Sequence, residues 1–280
     1  MTLNKIYPCI WFDNQAEEAS QFYCSVFGES EILGKNSLVI TLVINGQKFI
    51  CLNGGPYFQI NPSISFYTIC ETKDELVGAW NKLSEKGKVM MPLDKYDWSK
   101  LYGWVEDRYG VSWQLTLGRI TELGQKITPA LMFAGKLFGR AEEAIHYYIS
   151  VMKNSSISNI YRYPDMEEPL KGKVVHSRFT LLGQKFIAMD SHQIHGVSFN
   201  EALSLTISCE DQNEIDYYWG KLIEGGEEGQ CGWLKDKFSV SWQIVPSILS
   251  ELMKEPEKSN RVTAAFMKMN KLDIKKLKEA

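Results

Sequence analysis

The sequence lacks the marks of several large protein classes. Its 280 residues include 31 Lys and Arg against 34 Asp and Glu, with a net charge of -3 and no dense basic run, so a nucleic-acid partner is not expected. No apolar run approaches the ~20 residues that a membrane-spanning helix needs. Residues 1–8 show neither the apolar core nor the cleavage pattern of a signal peptide. We therefore expect a soluble, cytoplasmic protein with no membrane partner.

Disulfide chemistry and the common catalytic motifs are missing as well. The six cysteines are scattered and include no C-x-x-C pair, which is typical of reduced thiols in an intracellular protein. No G-x-S-x-G nucleophile elbow occurs. No glycine-rich turn joins a strand to a helix, as a Rossmann-type S-adenosylmethionine site would require. The sequence thus contains no motif that identifies a reaction.

What the sequence does contain is an internal repeat. Three short segments of the first half recur in the second half: Ala-Glu-Glu-Ala at 16–19 and 141–144, Gly-Gln-Lys-Phe-Ile at 46–50 and 183–187, and Val-Ser-Trp-Gln at 111–114 and 240–243. A unit of about 120 residues has therefore been duplicated. The duplication predicts the following division of the chain: a first domain at 1–118, a linker at 119–126, a second domain at 127–246 and a tail at 247–280.

Each half opens with a strand pattern followed by a helix pattern. In the first half, residues 6–12 have the composition of a strand, and apolar residues at helical spacing predict a helix over 15–27. Asp13 or Asn14 is the expected N-cap of that helix, and Gly28 its left-handed stop. The corresponding helix of the second half is predicted at about 141–152.

A hairpin and a second strand–helix passage complete each half. The Asn45-Gly46 pair between two alternating runs predicts a two-residue hairpin turn. Residues 64–70 then predict a strand, and 74–86 a helix that Gly87 stops. Each half therefore contains strand–helix–strands twice, which indicates an α+β fold built from four related modules.

The tail is expected to be helical. Glu255-Pro256 interrupts its pattern, and Ser259 or Asn260 is the expected cap of a helix with an apolar stripe. Such a stripe packs on its own protein or on a second copy of the chain, so a homodimer is one expected use of the tail.

This repeat within a repeat resembles the vicinal oxygen chelate (VOC) superfamily, which includes glyoxalase I, bleomycin-resistance proteins and extradiol dioxygenases. The sequence segments at 9–13, 49–56 and 231–243 are similar to those of the PhnB-like branch, whose members often carry the name 3-demethylubiquinone-9 3-methyltransferase. The resemblance implies two tandem glyoxalase-like domains, each of two βαβββ modules, and a C-terminal helical tail. It also implies a cupped sheet that surrounds a pocket.

The resemblance also provides a test for a metal site. Metal-dependent relatives bind one divalent ion through His, Gln or Glu on the first and last strands of the modules, and the ion polarises substrate oxygens. An approximate alignment places these residues at the corresponding positions: Tyr7, Ile64, Gln114, Thr128, Leu203 and Gln243. Ile64 and Leu203 cannot bind metal, and a glutamine amide competes poorly with carboxylate or imidazole. We therefore predict that the superfamily metal site is absent and that no cofactor is bound.

One other cluster is compatible with a divalent metal. All four histidines lie in the second half, and Asp190 is followed closely by His192 and His195. Nitrogen and oxygen ligands at this spacing can hold zinc or another transition metal. A loop does not impose the fixed geometry of a helix, however, so surface histidines, or one histidine at a pocket rim, are the simpler interpretation.

Strand tryptophans and polar residues near strand ends predict where a small organic molecule would bind. The candidates for lining a pocket are Tyr7, Trp11, Trp104, Trp113, Gln114, Asp190, His195, Asn200, Trp233, Trp242 and Gln243. Most such tryptophans build core, and the others would suit a flat or apolar ligand. Residues 90–101 have no full counterpart in the second half and are a candidate lid. Asp107 and Asp236 are expected to be solvated turn charges.

Three functional hypotheses follow, and the sequence leaves open whether the protein is an enzyme. The leading one is a PhnB-like protein that binds a small organic molecule without the superfamily metal. The second is a metal-dependent lyase, isomerase or dioxygenase with non-standard ligands such as Gln114, Gln243 and the His192 and His195 cluster. The third, a methyltransferase, depends on the family name alone.

Overall fold

The computed structural model describes residues 4–164, 168–192 and 196–280. The strands of the first half are β1 (Ile6–Phe12), β2 (Ser30–Lys35), β3 (Val39–Ile44), β4 (Gln47–Asn53), β5 (Ile64–Cys70), β6 (Lys88–Tyr96), β7 (Ser99–Glu106) and β8 (Ser112–Leu117). Its helices are α1 (Ala16–Val26) and α2 (Lys73–Ser84). The predicted strand–helix–strands pattern therefore occurs twice in this half.

The second half repeats this order of elements. Its strands are β9 (Ile127–Ala134), β10 (Ser156–Arg162), β11 (Val174–Leu181), β12 (Gln184–Ser191), β13 (Leu203–Cys209), β14 (Glu227–Glu228), β15 (Trp233–Lys235) and β16 (Ser241–Pro246). Its helices are α3 (Ala141–Val151) and α4 (Gln212–Leu222). The tail helices are α5 (Leu249–Leu252), α6 (Pro256–Phe266) and α7 (Ile274–Glu279). The fold is α+β, with four βαβββ modules in two tandem repeats.

The chain forms two compact units. The first contains Asn4 and residues 8–203, and the second contains residues 5–7 and 204–280. In the first unit, eight strands form one sheet in the order β10-β11-β12-β9-β5-β8-β7-β6, which we call the central sheet. β5 pairs antiparallel with β9, so the two modules that share this sheet come from different sequence repeats.

The remaining strands follow the same module plan. In the first unit they lie in the order β1-β4-β3-β2, with β1 parallel to β4. In the second unit the order is β14-β15-β16-β13, and Ser208 of β13 donates a backbone hydrogen bond to Lys5 at 2.9 Å. Of the helices that the structure describes, none is both long and apolar enough to cross a membrane. All six cysteines are free thiols.

The predicted cap of α1 is wrong. Neither Asp13 nor Asn14 bonds the helix start; instead Asn53, at the end of β4, accepts a hydrogen bond from the Ala16 N–H at 2.9 Å. Asp190, at the end of β12, does the same for α3 by accepting from the Gly139 and Ala141 N–H groups. The first donors of each helix are thus satisfied by a strand that is distant in sequence.

The turns follow the sequence in part. Asn45 and Gly46 have φ values of 49° and 79°, which confirms the predicted two-residue hairpin turn. The helix stops differ: Glu29 takes the left-handed conformation that was expected of Gly28, and Lys86 takes it just before Gly87. Gly87 is needed for space: a Cβ there would lie 2.4 Å from the Glu106 carbonyl oxygen.

The tail is helical, as expected, whereas its predicted caps and the candidate lid are wrong. Helix α6 begins at Pro256, so Ser259 and Asn260 lie within it and cap nothing. The tail packs on its own unit through a buried cluster formed by Leu252, Val262, Leu272 and Leu277. Residues 90–101 are not a separate lid, because they form the β6–β7 hairpin at one edge of the central sheet.

Candidate functional site

The central sheet has one face covered by helices and an opposite face, which we call the inner face. On the covered face, the ring of Trp80 on α2 lies against Gly103, and Trp113 packs beneath α1. Because side chains alternate along a strand, Tyr102 and Gln114 point to the inner face. The strand register places these residues on the inner face: Ser65, Tyr67, Tyr102, Trp104, Gln114, Thr116, Thr128, Met132, Asn159, His176, Arg178 and Met189.

Gln114 is the centre of a buried hydrogen-bond network on this face. Its Oε1 accepts from the Tyr102 hydroxyl at 2.8 Å, and its Nε2 donates to Ser65 Oγ at 2.8 Å. Burial raises the pKa of Tyr102 far above its usual range, so this hydroxyl remains a donor. The amide is therefore held in one orientation, with both of its ends engaged by protein.

An aromatic and methionine wall lies beside this network. Tyr102, Trp104 and Met132 form one buried cluster, and Met91 and Met189 pack against it. The Trp104 indole N–H donates to Ser112 Oγ at 2.6 Å. Ligand sites are commonly lined by such surfaces, in which a few fixed polar groups interrupt an apolar wall.

Three ionisable side chains, those of Tyr67, His176 and Arg178, lie close together on the inner face. The ring centroids of Tyr67 and His176 are 6.3 Å apart. Burial, together with the positive charge of Arg178, lowers the pKa of His176 to about 4. Burial also raises the pKa of Tyr67, although a hydrogen bond to Thr116 and the charge of Arg178 oppose this shift. At neutral pH the tyrosine and the histidine are therefore uncharged.

Several polar atoms of this face have no hydrogen-bond partner among the described residues. They are Thr128 Oγ1, Asn159 Oδ1 and Arg178 Nε, all of them buried. The register pairs Thr128 with Tyr67 and Asn159 with Arg178, so these atoms surround the Tyr67 and His176 contact. A buried polar group without a partner costs about 1–3 kcal/mol, and a ligand that bonds it recovers that cost.

Two of the predicted pocket tryptophans belong to the core. Trp113 is fully buried, and its indole N–H donates to Asp107 Oδ2 at 2.9 Å. In the second unit, Trp242 is also fully buried, and its N–H donates to Asp236 Oδ2 at 2.8 Å. Both tryptophans therefore belong to the core, and neither lines an open surface.

The two aspartates are not the solvated turn charges that the sequence suggested. Asp107 is 4% exposed, and its Oδ1 accepts the backbone N–H groups of Tyr109 and Val111. Burial raises the pKa of Asp107 to about 6, against the effect of these hydrogen bonds. Asp236 has the same arrangement. One feature of the sequence could have indicated this arrangement: in both repeats an aspartate lies six residues before the tryptophan.

The other candidates of the first unit hold its loops. Asp190 is occupied by the backbone bonds that begin α3. The Asn200 amide donates to the Gln59 carbonyl at 2.9 Å. The Trp11 indole N–H donates to the Gly55 carbonyl at 2.7 Å, and its ring lies where a Cβ on Gly54 would be. None of these three contacts places the residue beside Gln114.

Besides Trp242, three candidates lie in the second unit, and one candidate lies outside the described residues. Gln243 donates to Ser204 Oγ at 2.9 Å, which matches the bond between Gln114 and Ser65. Tyr7 is buried and Trp233 is half-buried. His195 lies outside the described residues, and the ring of His192 lies 6.2 Å from that of Phe138. The metal cluster on His192 and His195 stays a prediction.

The strand register corrects two of the positions that the sequence analysis aligned with the metal ligands of relatives. Ile64 shares the covered face with Phe66, and it is Ser65 that faces Gln114. Likewise, Ser204 rather than Leu203 contacts Gln243. The sequence alignment was therefore shifted by one residue at β5 and at β13. A shift of one residue exchanges the two faces of a strand.

The donor set around Gln114 does not fit a divalent cation. Its members are an amide and hydroxyl groups, and both amide ends already have protein partners. Divalent ions bind carboxylate or imidazole ligands more strongly than neutral amide or hydroxyl groups. Within the described ranges, no three His, Cys, Asp or Glu side chains gather in an arrangement that could hold a metal ion.

Comparisons with known proteins agree with this architecture. The model of the 3-demethylubiquinone-9 3-methyltransferase family matches residues 4–116 and 125–245. A PhnB protein from Bacillus cereus is 39% identical over 40% of this chain and 98% of that chain, with a TM-score of 0.38. Protein PA1353 from Pseudomonas aeruginosa is 24% identical over 39% and 93%, with a TM-score of 0.35. No curated protein matches the chain.

A more distant structure covers nearly the whole chain. Glyoxalase I from Zea mays is 13% identical, covers 89% of this chain and 95% of its own, and has a TM-score of 0.60. At this identity the similarity shows the fold alone. Because the family model matches both repeats, the chain belongs to the 3-demethylubiquinone-9 3-methyltransferase (PhnB-like) family, and it has a glyoxalase-like fold.

Proposed function

We propose that this protein binds a small organic molecule on the inner face of the central sheet and does so without a divalent metal. One observation carries the proposal: buried polar atoms that have no partner among the described residues lie on the same sheet face as an apolar wall. Thr128 Oγ1 and Asn159 Oδ1 supply the polar atoms. Tyr102, Trp104 and Met132 form the wall.

The wall and the polar atoms have separate roles in such a site. Contact with apolar and aromatic side chains provides most of the affinity, at about 25 cal/mol per Å² of apolar surface removed from water. The unpaired atoms provide selectivity, because a ligand without matching groups leaves them unsatisfied. The engaged amide of Gln114 adds a rigid wall rather than a metal ligand.

The proposal is tested with the full chain in buffer that contains EDTA. Thermal midpoint shifts and tryptophan fluorescence are recorded against a library of small aromatic and aliphatic molecules. We expect saturable binding of some members, and no dependence of that binding on added Zn²⁺, Ni²⁺ or Mn²⁺. Stoichiometric metal in the purified protein, with binding lost in EDTA, would overturn the proposal in favour of a metal-dependent enzyme.

A pair of matched variants locates the binding. Thr128→Val changes the inner face, and Thr68→Val changes a buried threonine of the neighbouring strand on the covered face. We expect Thr128→Val to weaken binding about fivefold or more, the effect of one lost hydrogen bond. Equal effects of the two variants would place the site elsewhere. A stoichiometric heat with S-adenosylmethionine would instead support the activity in the family name.

A further inference from the structure

We infer that the ligand is an organic anion and that Arg178 binds its charged group. This inference rests on the proposed function, because it assigns a ligand class to the same face. The guanidinium belongs to β11 and lies on the inner face beside the Tyr67 and His176 contact.

Arg178 differs from the other arginines because no hydrogen bond or ion pair joins its side chain to any other described residue. Its Nε is buried and unbonded, and within the described ranges no carboxylate lies within ion-pair distance of it. Each of the other arginines has a side-chain bond: Arg108 with Glu85, Arg119 with Glu122, Arg140 with Glu143, Arg162 with Glu142, and Arg261 with the Ala280 carbonyl. A half-buried guanidinium without a counter-charge is unfavourable unless a ligand supplies one.

The described residues around Arg178 leave its charge uncompensated. His176 and Tyr67 are neutral at pH 7, because burial shifts both away from their charged forms. Glu122 is a carboxylate whose charge reaches Tyr67, and it is already paired with Arg119 at 3.1 Å. A second cation, Lys185, follows on the same face and donates to Thr180 Oγ1. The local field therefore favours a negative ligand.

The geometry also defines the rest of the ligand. A guanidinium binds a carboxylate or a phosphoryl group through two parallel N–H bonds, and the neutral imidazole of His176 can donate a third. Met189 lies on the neighbouring strand β12 and extends the surface toward the aromatic wall. The expected ligand is a small organic acid with an apolar or aromatic body.

Matched pairs of acids and amides test the charge. Benzoate, phenylacetate and 2-naphthoate are compared with benzamide, phenylacetamide and 2-naphthamide, and phenyl phosphate is added to separate phosphoryl from carboxylate recognition. Calorimetry with the full chain measures affinity at low and high ionic strength. We expect the acids to bind at least tenfold more tightly than the amides, and added salt to reduce the difference.

Variants connect the effect to this residue. Arg178→Gln should remove the preference for acids, and Arg178→Lys should retain part of it, since Lys keeps the charge but loses the bidentate geometry. Arg162→Gln is the control on the same unit, because this exposed guanidinium is paired with Glu142 on α3. Preference for amides, or an acid preference that survives Arg178→Gln, would overturn the inference while leaving the binding proposal intact. Binding of neither series, by any folded variant, would overturn both.

Discussion

The rings of Tyr67 and His176 lie 6.3 Å apart although their strands, β5 and β11, are separated by β9 and β12. Three inter-strand spacings in a flat sheet would amount to about 14 Å. The two side chains therefore converge across the inner face of a curved sheet. This convergence, between residues of different sequence repeats, creates the candidate site.

His176 should make the protein acid-sensitive. Its pKa falls from the usual value of 6.5 to about 4 in the folded state. A depressed basic group stabilises the fold above its unfolded pKa, and this contribution is lost as the pH falls from about 6.5 through about 4. We expect His176→Gln to reduce the loss of unfolding free energy in that window by up to ~3 kcal/mol.

The measurement is urea denaturation of wild type and variant at several pH values between 4 and 7. His146→Gln is the matched control, because this imidazole is exposed on α3 and only loosely paired with Glu142. An identical pH profile for wild type and His176→Gln would contradict the burial of a neutral imidazole.

The Gln114 network should contribute to stability as a unit. Gln114→Leu removes the partners of Tyr102 and Ser65 and leaves two buried hydroxyls unsatisfied. We expect a loss of about 2–4 kcal/mol in unfolding free energy. A double-mutant cycle with Tyr102→Phe should give a coupling energy of at least ~0.5 kcal/mol, and additive effects would show that the Tyr102 bond contributes little.

The buried aspartates should be essential to the turns before β8 and β16. Asp107→Asn places an amide N–H group toward the Trp113 indole N–H or toward two backbone donors. We expect a cost of about 2–3 kcal/mol, since at least one donor loses its acceptor in either orientation. The exposed Asp97→Asn is the control. Near-equal melting temperatures for the two variants would refute this account.

The tail should be anchored by its own apolar cluster. Leu277→Ala removes a fully buried side chain from α7, and we expect a cost of about 2–4 kcal/mol in local stability. Met267→Ala, at a residue that is 56% exposed, should cost little. Limited proteolysis followed by mass spectrometry reports the difference. Cleavage of the tail at the same rate in both variants would show that this cluster does not hold it.

Local signals predicted the elements well where apolar residues alternate or recur at helical spacing. The strand Ile6–Phe12 and the Asn45-Gly46 turn are examples. The edge strands Ser30–Lys35 and Ser156–Arg162 were missed because they are largely exposed and carry little apolar periodicity. The sequence analysis assigned Ile64 rather than Ser65 to the inner face. The face on which a side chain lies depends on how its strand pairs with its neighbours, and the sequence alone leaves that register open by one residue.

The sequence by itself determined the duplication, the four modules and the local turns, because these depend on repeated phrases and on short-range conformational preference. Only the tertiary structure decided which modules share a sheet and which side chains meet on its inner face. Nothing near Arg178 in the sequence indicates that it lies beside Tyr67, whose strand belongs to the other repeat. That proximity follows from strand order and sheet curvature, which long-range packing sets.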